Sequence, residues 1–167
     1  SQEIRNQDEI PSTHFFVYQN SKYPFNLDFF KHFSQHISDN IIEFESKKEI
    51  NLINEEIEDF LNIPKETIEY FIKYVQREII SINNDNVVLL NYLATKYKVN
   101  SLIKYTDEYI SDHHEELILD IFTLHQKESN LISTDKYEDI ISDQLLKHID
   151  DERLLNLEVP TLYRILT

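Results

Sequence analysis

His32 and His36 stand four residues apart in "KHFSQH", the helical spacing that lets two imidazoles share one zinc ion. The Phe33-Ser34-Gln35 between them lacks the glutamate of a metalloprotease motif, and no third ligand is evident, so no metal site is assigned. His113 and His114 adjoin Glu115 and Glu116 at a helix start. Helix neighbours point about 100° apart, so these histidines are not expected to chelate together and are read as solvated. Carboxylates cluster in "NEEIED" and "DHHEE". General acid–base catalysis needs two groups held in one pocket with separated pKa values, whereas these fall on predicted polar faces and read as solvated charge. No catalytic residue and no cofactor is expected.

Composition removes whole classes of chemistry. The chain of 167 residues has no glycine and no cysteine. Phosphate-cradling loops, dinucleotide folds, the serine-hydrolase elbow and calcium loops all need glycine backbones. Without cysteine there is no disulfide, thiolate metal site or thiol nucleophile, which fits a cytoplasmic or nuclear protein. A net charge of −15 repels phosphate backbones and anionic lipids. Nucleic acid and membrane partners are therefore not expected, and the acidity is read as solubility or, more sharply, as complementarity to a protein with a basic face. No apolar run approaches the roughly 20 residues needed to span a bilayer, and no secretory signal pattern opens the chain.

The elements that must position any site follow from periodicity. Residues 1–13 are polar and end in Pro-Ser-Thr, a flexible leader. Phe15 to Tyr18 have strand chemistry, Asn20-Ser21 turns the chain, and Tyr23 and Phe25 share one face of the return strand. Leu27, Phe30, Phe33 (or Phe29) and Ile37 mark one helix, and Ile50, Leu52 and Ile53 a short strand after a polar link. Pro64 opens a helix striped by Ile68, Phe71, Ile72, Val75 and Ile79. Val87 to Ala94 is apolar nearly all round, and Val99, Leu102, Ile103, Thr106 and Ile110 stripe the next helix. The last third is helical only, with Thr134 as a cap and Pro160 starting the final helix. The order predicts an α+β unit with an α-helical extension, joined near Ser111-Asp112 as packed subdomains. Tyr70, Tyr74, Tyr105 and Tyr109 lie at stripe edges, read as half-buried tyrosines or as a partner surface.

The segment "NNDNVVLLNYLATKYKVNSLIKYTDEYI" resembles the paired helices that close a BTB (POZ) domain. "IPKETIEYFIKYVQREIISI" is similar to the preceding helix of that family, and "FFVYQNSKYPFNLDFFKHFSQHI" takes the place of its first hairpin and helix. The tail, ending in "LLNLEVPTLYRIL", resembles the start of a BACK domain. The resemblance implies a BTB/POZ-like small mixed sheet with helical hairpins over 14–112 and a partial, all-α BACK-like domain over 113–167. It is of the divergent protist type found ahead of ankyrin repeats, which implies a recognition module beyond Thr167. Val75-Gln76-Arg77-Glu78 stands where Tyr-Thr-Gly is usual in the family. The short polar leader leaves little room for the strand that dimeric members exchange.

Proteins of this kind act as adaptors between cullin-3 and a ubiquitin-ligase substrate. Their contact loop carries an apolar residue, any residue, then Glu, and Ile41-Ile42-Glu43 satisfies that pattern in "SDNIIEFESKKEINL". In the other register Glu43 falls on the apolar position, where a carboxylate would be desolvated. Tyr97 matches a groove-lining tyrosine of some adaptors; read from the residues alone, it is a core-edge aromatic with its hydroxyl in water. The partner-binding candidates are therefore Ile41, Ile42, Glu43 and Tyr97. The alternatives are a homo-oligomerisation scaffold without a ligase role, a dimer among them, and an F-box-binding linker.

Overall fold

A computed structural model of the chain describes residues 10–58 and 61–127. β1 (His14–Tyr18) and β2 (Ser21–Phe25) pair antiparallel, with Phe16 opposite Tyr23 and Tyr18 opposite Ser21. The turn is Gln19-Asn20, one position earlier than the sequence pattern places it, with φ of 47° and 62°. Tight hairpins favour left-handed turn residues because these match strand twist. A chain without glycine fills both positions with residues that carry side chains. β3 (Glu49–Asn51) runs parallel to β1 on its other side, giving the order β2-β1-β3. The sheet is small and mixed, and its inner face buries Phe16, Tyr18, Tyr23 and Phe25. Phe15 and Lys22 alternate onto the exposed face.

Two departures follow the hairpin. α1 (Leu27–Phe33) is capped by Asn26, whose side chain accepts from the Phe29 N–H. The single helix expected through Ile37 instead breaks at Ser34, which is extended and caps α2 (Gln35–Asp39) by accepting from the Ile37 N–H. The link expected to be a polar loop is helical, α3 (Ile41–Ser46). Phe44 anchors it at 8% exposure, and Lys47 pairs with Glu43 across one turn at 2.9 Å. The chain before the hairpin is tied as well: the Asn26 amide donates to the Pro11 carbonyl at 2.8 Å, and the Leu27 N–H to Thr13 Oγ1 at 3.0 Å.

After β3 come the single turn α4 (Glu55–Glu58) and α5 (Lys65–Val75), preceded by Pro64. Tyr18 fastens the irregular stretch between them, donating its hydroxyl to the Leu61 carbonyl and accepting from the Ile63 N–H. α5 buries Ile68, Phe71, Ile72 and Val75. Arg77 then turns left-handed, φ 66°, and ends the stripe, so Ile79 is not part of it and is 100% exposed. α6 (Val87–Lys96) starts from a reciprocal lock, each of Asn83 and Asn86 accepting the other's N–H on its side-chain oxygen at 3.0 and 3.1 Å. It buries Val87, Val88, Leu90, Asn91, Tyr92, Leu93 and Ala94.

α7 (Asn100–Asp112) and α8 (His114–Lys127) both pack on α6, as α5 does. Asn91 inside α6 is buried and donates to Thr106 Oγ1 on α7 at 2.8 Å, which ties the two helices together. Leu117, Ile118, Ile121 and Leu124 of α8 join the same hydrophobic cluster as the hairpin. The break between α7 and α8 is at His113, and the two helices on either side of it share one core. Among the described residues no helix is long and apolar enough to cross a membrane. The helices expected after Lys127, with the Thr134 cap and the Pro160 start, lie outside the described residues.

Candidate partner-binding groove

Where α2, α3, β3 and the end of α6 meet, the surface holds a groove of about 580 Å3, lined among others by His36, Phe44, Ile50, Asn51, Glu55 and Tyr97. Its floor follows from how α6 ends. Lys98 turns left-handed, φ 51°, just after Tyr97. The carbonyls exposed at that corner accept from the start of α2: Ser34 Oγ donates to the Tyr97 oxygen at 2.5 Å and the Gln35 N–H to the Lys98 oxygen at 3.1 Å. One serine therefore caps its own helix and docks that helix on the α6–α7 corner.

Tyr97 is 2% exposed, its ring within 5.9 Å, centre to centre, of Phe16, His36 and Phe71. Its hydroxyl donates to the Leu52 carbonyl at 2.5 Å, so the expectation of a hydroxyl in water is corrected. The backbone just past β3 has no strand partner for that carbonyl, and the phenol supplies the bond. Burial pushes the Tyr97 pKa far above the ordinary phenol value. His36 is half-buried and edge-on to both Phe44 and Tyr97, at 5.8 and 5.9 Å. Burial lowers its pKa, with Lys96 and Lys98 acting in the same sense, against a weaker pull from Asp39 and Glu43.

The sequence candidates separate into two places. Tyr97 contributes to the floor of the groove, whereas Ile41, Ile42 and Glu43 do not line it. Ile41 is half-buried, Ile42 is 82% exposed, and Glu43 is exposed. The hydrogen bond from Lys47 holds the Glu43 carboxyl below its usual range, followed by the charge of the same lysine. In the chain by itself the Glu43 carboxylate is exposed on α3, with Lys47 as its partner.

His32 and His36 sit on different helices, α1 and α2, so the shared helical face is lost at Ser34. His113 and His114 are half-buried rather than solvated, each with Nδ1 on a main-chain oxygen, that of Tyr109 at 2.9 Å and of Ser111 at 2.8 Å. Tyr70 and Tyr74 belong to α5 and Tyr105 and Tyr109 to α7; only Tyr105 is exposed.

Phe44 is the groove residue that the sequence pattern leaves unmarked, and its signal is the three-residue step from Ile41 with the Glu43–Lys47 pair. What the groove offers is an aromatic floor, a strand edge, and carboxylates at Glu55 and Glu56 on one rim with Lys96 also in the lining. These are the parts of a surface that holds a peptide. No model of a known protein family matches the chain, and no curated protein matches it either.

Proposed function

We propose that this chain is a non-catalytic protein–protein interaction module of the BTB–BACK type, with a BTB/POZ-like unit carrying the groove and a BACK-like helical extension behind it. Support comes from the hairpin with a parallel third strand, and from α6 enclosed by α5, α7 and α8, the arrangement that the BTB resemblance implies. In this reading the module works in the cytoplasm or nucleus as an adaptor for cullin-3. It brings a substrate held by repeats beyond Thr167.

The observation that carries the adaptor reading is Ile42, an aliphatic side chain 82% exposed beside the outward Glu43. An isolated apolar residue on a surface is ordinary; this one holds the any-residue place of the pattern, next to the half-buried Ile41 at its apolar place, in the segment for which the resemblance implies the cullin contact. The test is calorimetric titration of the full chain with the N-terminal region of cullin-3. Binding is expected, weakened about tenfold or more by Ile42→Asp, on the scale of a buried anchor lost from an interface. A folded chain that gives no heat with cullin-3 overturns the adaptor reading.

A second reading, self-association without a ligase role, is favoured by Ile79, wholly exposed on the irregular stretch between α5 and α6. Light scattering decides it: a mass that stays at one chain across all concentrations removes it.

A further inference from the structure

We propose that the outer edge of β3 is a docking site for an extended segment of a protein partner, alternating apolar and basic residues, which joins the sheet as an added strand. The argument begins with the main chain. The Phe15 N–H donates to the Lys48 oxygen at 2.9 Å and the Leu52 N–H to the Val17 oxygen at 3.0 Å. In a parallel pair, bonding residues alternate along each strand. Lys48, Ile50 and Leu52 therefore face β1, and Glu49 and Asn51 each turn an N–H and a C=O away from it. Among the described residues no strand lies beyond β3.

The opposite edge is guarded. β2 carries Pro24, which has no N–H, and the exposed Lys22, two devices that discourage strand addition. β3 has no proline, and the open groove lies beside it.

Side chains choose the occupant. A strand laid along β3 would alternate between the two faces of the sheet. On the inner face it would meet the half-buried Ile50 and the aromatic pair Phe44 and Tyr97. On the outer side it would meet Glu49, exposed but paired with Lys22 of β2, and the unguarded carboxylates nearest the edge are Glu55 and Glu56 on the groove rim. A chain of net charge −15 with Glu55 and Glu56 on the rim beside this edge is complementary to a segment whose alternate positions are lysine or arginine. The inference stands on this geometry and does not require cullin-3.

The experiment uses the full chain and a labelled ten-residue peptide alternating valine and lysine. Companion peptides carry glutamate for lysine, or proline at two central valines. Fluorescence anisotropy is expected to show binding of the first, with both companions about tenfold weaker or worse, and hydrogen exchange to slow at the Glu49 and Asn51 amides. Asn51→Pro removes an outward N–H without touching a bond to β1 and is expected to cost about tenfold in affinity. Should that variant fail to fold, the paired change Glu55→Lys and Glu56→Lys on the exposed rim is expected to weaken binding likewise. Equal binding of the proline peptide overturns the proposal, as does an unaffected rim variant. Amides at Glu49 and Asn51 already protected in the free chain would also overturn it, because a segment of this chain or a second copy then covers the edge. A chain that binds the peptide yet ignores cullin-3 keeps this inference and loses the adaptor reading; the reverse result does the opposite.

Discussion

α6 and α3 use apolar residues in opposite ways. The Val87 to Ala94 run of α6 is buried on nearly every side because α5, α7 and α8 close around it. α3 lies mainly against α1 and α2, buries Phe44, and leaves Ile42 in water. The difference teaches that an apolar residue gains its meaning from the layers around it. Enclosure by α5, α7 and α8 makes Leu90 structural, and the lack of such layers leaves Ile42 in water.

The largest effect should come from α6. Leu90→Ala empties a fully enclosed site and is expected to destabilise the chain by about 2–5 kcal/mol, read from denaturant unfolding. Next comes the junction between the helix and the groove. Tyr97→Phe strands the Leu52 carbonyl and should cost about 1–3 kcal/mol.

The same residue sets an alkaline limit. Its folded pKa lies above its ordinary value, so its contribution is whole below about pH 10 and is lost as pH rises through the folded value. The unfolding midpoint of the parent should therefore fall more steeply above that pH than that of Tyr97→Phe. The smallest effect belongs to α3: Ile42→Asp should shift stability by less than about 0.5 kcal/mol, checked by the same unfolding curve. If Ile42→Asp and Leu90→Ala destabilise alike, the contrast between the two helices collapses.

Much of the frame is legible in the residues. The hairpin, α5, α6 and α7 follow from alternation and from helical stripes long enough to be unambiguous. The misses share a cause: short elements decided by single side chains. Ser34 splits one apolar stripe into two helices by capping, although Leu27, Phe30 and Ile37 keep an unbroken spacing. α3 is too short for periodicity to separate it from a loop, and Ile79 continues a stripe that Arg77 has already ended.

The groove is half legible. Tyr97 is recognisable as a groove residue, but its hydroxyl bond to Leu52 joins residues 45 apart in sequence. His36 draws attention for a metal spacing and matters as an aromatic neighbour instead. Phe44 needs the fold to be seen.

Lys98 holds a backbone shape that glycine would accept freely and that costs another residue about 1–2 kcal/mol. Since that bend follows Tyr97 directly, the cleft takes its outline from a sprung corner clamped by Phe16, Phe71 and the head of α2. The cleft is in this sense an imprint of the interior: slackening those rings would let the bend relax and reshape a surface that none of them touches.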